Sequence, residues 1–394
     1  MKWSSRAVGA IKLLSSSSKT RFEAGRLRQF AVFAGILVLV FLPTNPQLWL
    51  EQALTGVIIA SLALAVAIYY QTGSALVAAA CAYFLVRAAA GWAGESPRPI
   101  WGIVLASHSF GFLLAAAGGA FLLRARDRSV ALYALAGAAV VVALEIITKR
   151  LSGGLVYSFM NNAAADGSML AVMLPLVMMR GESIRKWLGG WPHLCASAVV
   201  IAGILASGSS TALAALAVAI FAGTACIWKR ANLLAIGPLT LMLLLAGLAF
   251  MKEDFFNDNG RFQIWRISLE YFFDPEKGVN QFFGTGSGSF FMLGPTIQLN
   301  FGYSPKLVFL FMHNDFLQIL FEQGYIGLFL VLAVGVCALR KAFDRPWLFA
   351  ALCTYGAILA TQYPLRYLAS AFIGALLLAE VYGCNQKGGL EKSR

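Results

Sequence analysis

The chain has 394 residues and a formal net charge of +13, yet only 12% of its residues are charged and 59% are hydrophobic, for a mean hydropathy of +0.73. An ordinary soluble domain carries about 25% charged residues, so this composition excludes a soluble globular enzyme and describes a polytopic membrane protein. Most Lys and Arg sit in short runs between apolar segments, the pattern of the positive-inside rule, and nucleic acid is not expected as a partner.

The basic, serine-rich stretch from Met1 to Phe30 lacks an apolar run ahead of a small-residue cleavage site, and reads as a retained cytoplasmic tail. Apolar segments follow near 29–43, 50–70, 74–92, 100–123, 129–148, 167–180, 191–207, 209–228, 232–251, 309–339, 347–363 and 366–384. Spanning ~30 Å of hydrocarbon takes about 20 helical residues, so these segments predict an all-α fold with about twelve transmembrane helices. The tenth is long enough to begin outside the bilayer or to tilt. Basic loops at 124–128, 180–186, 228–230 and 340–345 fall on one side together with both termini, and that side is the cytoplasm. Three regions result: spans one to nine (1–251), a large periplasmic loop (252–308), and spans ten to twelve with a short tail (309–394). The six cysteines show neither disulfide nor zinc spacing.

The long loop is rich in aromatics. Arg261 to Tyr271 has helical spacing, with Phe262, Trp265, Leu269 and Phe272 on one face, which predicts a short helix lying at the membrane interface. Asp274-Pro275 ends it, and "GTGSGS" (284–289) reads as an irregular connection. That glycine-rich run lacks the Lys-Ser/Thr of a phosphate-binding loop. Asp254, Asp258 and Asp274 stand without histidine at ligand spacing, so no metal or cofactor is expected, and no serine nucleophile elbow is present.

Polar groups at the outer membrane face are not explained by topology, and they mark candidate site residues. His313, Asn314 and Asp315 stand where the tenth span begins, and a helix N-terminus there suits an anion. Asn314 or Asp315 can also simply cap that helix. Arg261 and Arg266 offer bidentate recognition of phosphate oxygens, although Arg266 is also spaced to pair with Glu270. Lys149 and Arg150 depart from the positive-inside trend. Glu145 can neutralise Lys149, which leaves Arg150 the stronger candidate, and Asn162 lies in the amide-rich segment just beyond. Arg87 and Arg366 complete the set, Arg87 with the alternative of snorkelling to the interface. His108, in mid-span, and His193, near the cytoplasmic face, read as structural.

The order "GRFQIWR" (260–266), "GTGSGSF" (284–290) and "HNDFLQILFEQGYIG" (313–327) resembles the O-antigen ligase and polymerase superfamily. Its members carry arginines on a large periplasmic loop that ends in His-Asn-x-x-Leu, followed by glycines in a transmembrane helix. Here those positions are His313, Asn314 and Leu317, with Gly324 and Gly327 downstream. The resemblance implies a GT-C-like membrane glycosyltransferase of the bacterial inner membrane, drawing on undecaprenyl-diphosphate-linked glycan without a nucleotide sugar. It carries the essential histidine over to His313, the loop arginines to Arg261 and Arg266, and a further basic residue to Arg150. A histidine with a pKa near 6.5 suits the task of taking the acceptor's proton, and arginines can stabilise a departing diphosphate without a metal.

Of the activities implied, the ligase joining O-antigen to lipid A-core is favoured, with membrane lipids as the other contact. Polymerase and protein O-oligosaccharyltransferase are the near alternatives. A lipid-linked-glycan flippase or transporter comes from another class, but transporters usually show repeated halves and broken midplane helices, whereas here the polar groups gather outside, on one asymmetric loop.

Overall fold

The structure is a computed structural model that describes residues 68–69, 74–93, 125–154, 156, 162–188, 191–227, 260–302, 308–366 and 368–383. The spans expected at 29–43, 100–123 and 232–251, nearly all of that at 50–70, His108 and both tails lie outside the described residues. The described residues form ten α-helices and no strand. In chain order they are α1 (Ala75–Ala93), α2 (Ala125–Leu151), α3 (Ala163–Leu188), α4 (Trp191–Ser207) and α5 (Ser210–Ile227). There follow α6 (Arg261–Phe273), α7 (Ser289–Asn300), α8 (Asp315–Ala342), α9 (Pro346–Thr361) and α10 (Leu368–Gly383).

Helix α3 is central, packing on α2, α4, α5 and α9, and every residue from 165 to 177 is buried. A helix apolar on all sides has no preferred face and must be enclosed by others. Small residues permit the close approach: a Cβ on Gly203 of α4 would lie 2.6 Å from the Ala143 Cβ of α2. Such small-residue contacts are how membrane helices gain packing where hydrophobic burial drives little. Asn162 starts α3, its Oδ1 accepting the N–H groups of Ala164 (2.9 Å) and Ala165 (3.2 Å), which explains why the sixth helix begins before the expected 167.

The expected loop helix forms as α6, and Asp274 ends it by accepting the Glu276 N–H at 2.9 Å. Its buried stripe differs from the expected one. Ile264, Ile267, Ser268 and Phe272 face inward, whereas Phe262 is 65% exposed. The reason is that α6 rests on protein. Together with α7 and the start of α8 it encloses a second core of Ile264, Ile267, Phe272, Phe290, Ile297, Met312, Leu320 and Phe321.

Among the described residues, α8 alone is long and apolar enough to cross a membrane. Residues 309–314, expected as its first turns, are not helical, and the helix breaks at Gly324 (φ 67°, ψ −167°). The sequence carries no sign of this broken helix. The segment 325–342 rises about 27 Å at 1.5 Å per residue, close to the ~30 Å hydrocarbon thickness, so it can span unaided. Residues 315–323 belong instead with the second core. The break frees backbone groups on both sides, and the segment 281–286, which leads into the glycine-rich loop, satisfies four of them. Tyr325 and Ile326 donate to the carbonyls of Gln281 (2.9 Å) and Phe282 (3.3 Å), while Phe321 and Glu322 accept from the N–H groups of Thr285 and Gly286 (both 2.9 Å). The stretch read as an irregular connection is thus the partner of the helix break.

Candidate functional site

His313 has φ 55°, and among the described residues no other non-glycine residue has positive φ. The left-handed region costs an L-residue of order 1–2 kcal/mol, and such strain persists only where surroundings impose it. On one side, Met312 is held by both backbone groups: its carbonyl accepts the Trp265 indole N–H at 2.6 Å, and its N–H donates to Gln318 Oε1 at 3.3 Å. On the other side, Asn314 is extended and caps α8, accepting the Leu317 N–H at 3.1 Å.

The imidazole stands edge-on to Tyr363, 4.6 Å between centroids, and to Phe309 at 5.6 Å; Phe311 stacks on Tyr363 at 5.1 Å. His313 Nδ1 is buried without a hydrogen-bond partner among the described residues, an arrangement that calls for an external group. Burial in this aromatic niche lowers the His313 pKa to about 4, with the nearby Arg261 charge a smaller cause in the same direction. The ring is therefore neutral at physiological pH.

Arg261 comes to this place from α6 and donates to the Thr361 carbonyl at 3.2 Å, at the C-terminus of α9, where a cation meets the negative helix end. Arg266 does not share its face. Five residues of helix separate them by about 140°, and the Arg266 side chain is 70% exposed and 3.4 Å from Glu270. The expected guanidinium pair is therefore one arginine beside the histidine and one on the open outer surface.

The α8 N-terminus is not an open anion seat, contrary to expectation. Asn314 occupies one of its donors. Buried Asp315 brings a carboxylate into the first turn, where its Oδ2 accepts the Leu365 N–H at 2.9 Å and ties the α9–α10 connection to α8. A small crevice lined by Ala165, Ser168, Gln362, Tyr363 and Ser370 sets the start of α3 beside Tyr363.

The remaining candidates lie apart from His313 or have structural occupations. Lys149 pairs with Glu145 at 2.7 Å, as the spacing suggested. Arg150 is exposed and makes no ion pair among the described residues; both bases lie in the last turn of α2, where the helix dipole favours them. The Asn162 side chain serves as the α3 cap. Arg366 stands in a single 3₁₀ turn, Pro364–Arg366, before α10, and its side chain is not among those described. Arg87 of α1 donates to the Phe283 carbonyl, its guanidinium 5.9 Å from the Phe283 ring centre, while Tyr83 donates to the Gln323 carbonyl at 2.7 Å. Both residues pin the helix break and its loop. Arg87→Met is expected to cost about 2 kcal/mol, the worth of a charge-assisted hydrogen bond, and to speed limited proteolysis within 276–288; unchanged cleavage there would count against this clamp.

Sequence reasoning missed Trp265, Thr361 and Tyr363 as neighbours of His313. They come from segments far apart in the chain, and no spacing rule links them. No disulfide joins the described cysteines, and no three His, Cys, Asp or Glu side chains gather at metal-binding range among the described residues.

No curated protein matches the chain. Residues 195–332, from α4 through the α6 and α7 layer, His313 and the broken part of α8, match the family model described as O-antigen ligase.

Proposed function

We propose that this protein is an O-antigen ligase, transferring glycan from undecaprenyl diphosphate to lipid A-core at the periplasmic face of the bacterial inner membrane. The observation that carries the reading is the meeting of a neutral, aromatic-boxed His313 with Arg261 at the membrane-proximal end of the loop. About twelve spans and cytoplasmic termini, inferred from loop charges, leave this end facing the periplasm.

In this mechanism His313 accepts the proton of the acceptor hydroxyl as its oxygen attacks the anomeric carbon. The bond to the diphosphate oxygen breaks on the opposite face, the configuration inverts, and Arg261 stabilises the charge on the departing diphosphate. Arg266, exposed on α6, is the residue we assign to the glycan or outer phosphate oxygens, with Arg150 a further substrate-binding candidate. Neither step routes through a metal.

The deciding measurement is transfer by the purified, reconstituted protein offered lipid A-core, a second lipid-linked glycan and a pilin-like peptide together, with EDTA present. Glycan on lipid A-core supports the ligase. Growth of the lipid-linked glycan makes it a polymerase, labelled peptide makes it a protein O-oligosaccharyltransferase, and movement across the membrane without transfer makes it a transporter. In the same assay Arg261→Ala is expected to lose more than about 10²-fold in kcat, as removal of a charge-stabilising donor does, and Arg266→Ala much less. Equal losses would refute the separation of their roles.

A further inference from the structure

Glu322 is fully buried in α8, nine residues after His313, and the transfer mechanism does not use it. Its carboxylate is one end of a directional chain of hydrogen bonds. Glu322 Oε2 accepts the Gly288 N–H at 2.9 Å, at the start of α7, and Oε1 accepts Gln318 Nε2 at 2.8 Å. Gln318, also buried, in turn accepts the Met312 N–H through Oε1. The neighbouring Met312 carbonyl is held by Trp265. Met312 immediately precedes the left-handed His313, so its N–H is held by the chain and its carbonyl, in the peptide that enters His313, by Trp265.

We propose that Gln318 and Glu322 are positioning residues for His313, forming a buried relay that fixes the Met312 peptide and locks α7 to the base. The inference rests on the glycosyl-transfer reading for its kinetic test, but on the geometry alone for its content. The Met312 and Gly288 N–H groups can only donate, so Gln318 Oε1 accepts at one end and both Glu322 oxygens accept at the other. That polarity orients the Gln318 amide with its NH₂ toward Glu322 and its oxygen toward the Met312 N–H. Glu322→Gln breaks the pattern, because its NH₂ must face either the Gly288 N–H or the Gln318 NH₂. Turning Gln318 over moves the same clash to Met312. Gln318→Glu alone sets two carboxylates against each other. The exchange Gln318→Glu with Glu322→Gln restores these three bonds: Glu at 318 accepts from Met312 and from the amide at 322, whose oxygen accepts from Gly288.

The test compares full-length wild type, Glu322→Gln, Gln318→Glu and the exchanged double variant in detergent, at matched folded fraction by size-exclusion chromatography. A misplaced base costs on the order of 10²-fold. Each single variant is expected to lose about that much kcat with the donor KM little changed, and the double variant to recover most of it. In parallel, His313 acylation by diethyl pyrocarbonate, read by peptide mass spectrometry, is expected to speed up in both single variants and return to the wild-type rate in the exchange. Wild-type kcat in Glu322→Gln, or losses that only track the folded fraction, would overturn the proposal. So would a double variant as impaired as the singles. If His313→Ala retains full transfer, or the wild type transfers nothing, the functional reading fails instead. The acylation pattern then still decides whether the relay holds His313 in place.

Discussion

His313→Ala is expected to lower glycan transfer by about 10²–10⁴-fold while the protein stays folded, the range that general-base assistance supplies. The ring makes no hydrogen bond that α8 depends on, since the cap belongs to Asn314 and the Met312 peptide is held by Trp265 and Gln318. Alanine even retains a left-handed cost comparable to that of histidine. The pH dependence supplies a second readout. With its pKa lowered to about 4, chiefly by burial and secondarily by Arg261, the His313 of the free enzyme stays neutral from pH 7 down through pH 5. The acid limb of kcat/KM should thus lie near 4 and not near the 6.5 of a solvated histidine. Arg261→Gln removes a neighbouring positive charge and moves the limb upward, though only part of the way, because burial is the larger cause. A limb at 6.5 in the wild type would mean that the aromatic niche opens during turnover, and an unaltered rate in His313→Ala would remove the base from the mechanism.

The second large effect is expected at the crossing of two glycines. A Cβ on Gly324 would lie 2.3 Å from the Phe282 carbonyl oxygen, and one on Gly284 would lie 2.6 Å from the Gly324 nitrogen. Both glycines have positive φ, 67° and 71°. Gly324, at φ 67° and ψ −167°, occupies a region essentially confined to glycine, so Gly324→Ala meets a cost of order 1–3 kcal/mol and cannot keep the loop at its present distance. Separation of the loop from the helix break releases up to four backbone hydrogen bonds, each worth about 1 kcal/mol, beside the membrane where unsatisfied groups find no ready replacement. A loss above about 3 kcal/mol is expected, seen as a lowered thermal midpoint by fluorescence-detected size exclusion. Gly335, with open space around its Cβ position, is the control whose alanine variant should fold normally. Comparable stability of Gly324→Ala and Gly335→Ala would refute the interlock.

The helices of the apolar bundle were legible because each is a long hydrophobic run ended by polar or glycine residues. The expected segments 74–92, 191–207 and 209–228 return as α1, α4 and α5 within about two residues. Helix α6 was legible as an element but not in its orientation. Its aromatics suggested a lipid-facing stripe, whereas the aliphatic residues Ile264 and Ile267 face a protein core that α7 and α8 supply from elsewhere in the chain. His313 stood out as a polar residue at the mouth of an apolar segment, and Arg261 as a charge that topology does not require. What separates Arg261 from Arg266, spaced five residues apart, is which face of α6 the core covers. No local pattern carries that.

The sequence by itself determined the helical fold and its apolar, membrane-type runs, because these follow from composition and run length, which are local and additive. Only the tertiary structure decided that the glycine-rich loop fills a broken helix, that Tyr363 and Trp265 attend His313, and that Glu322 reaches the same peptide through Gln318. These depend on backbone groups meeting across distant segments: a helix interrupted in a nonpolar setting must find partners for its freed N–H and C=O groups, and the fold alone says where they are.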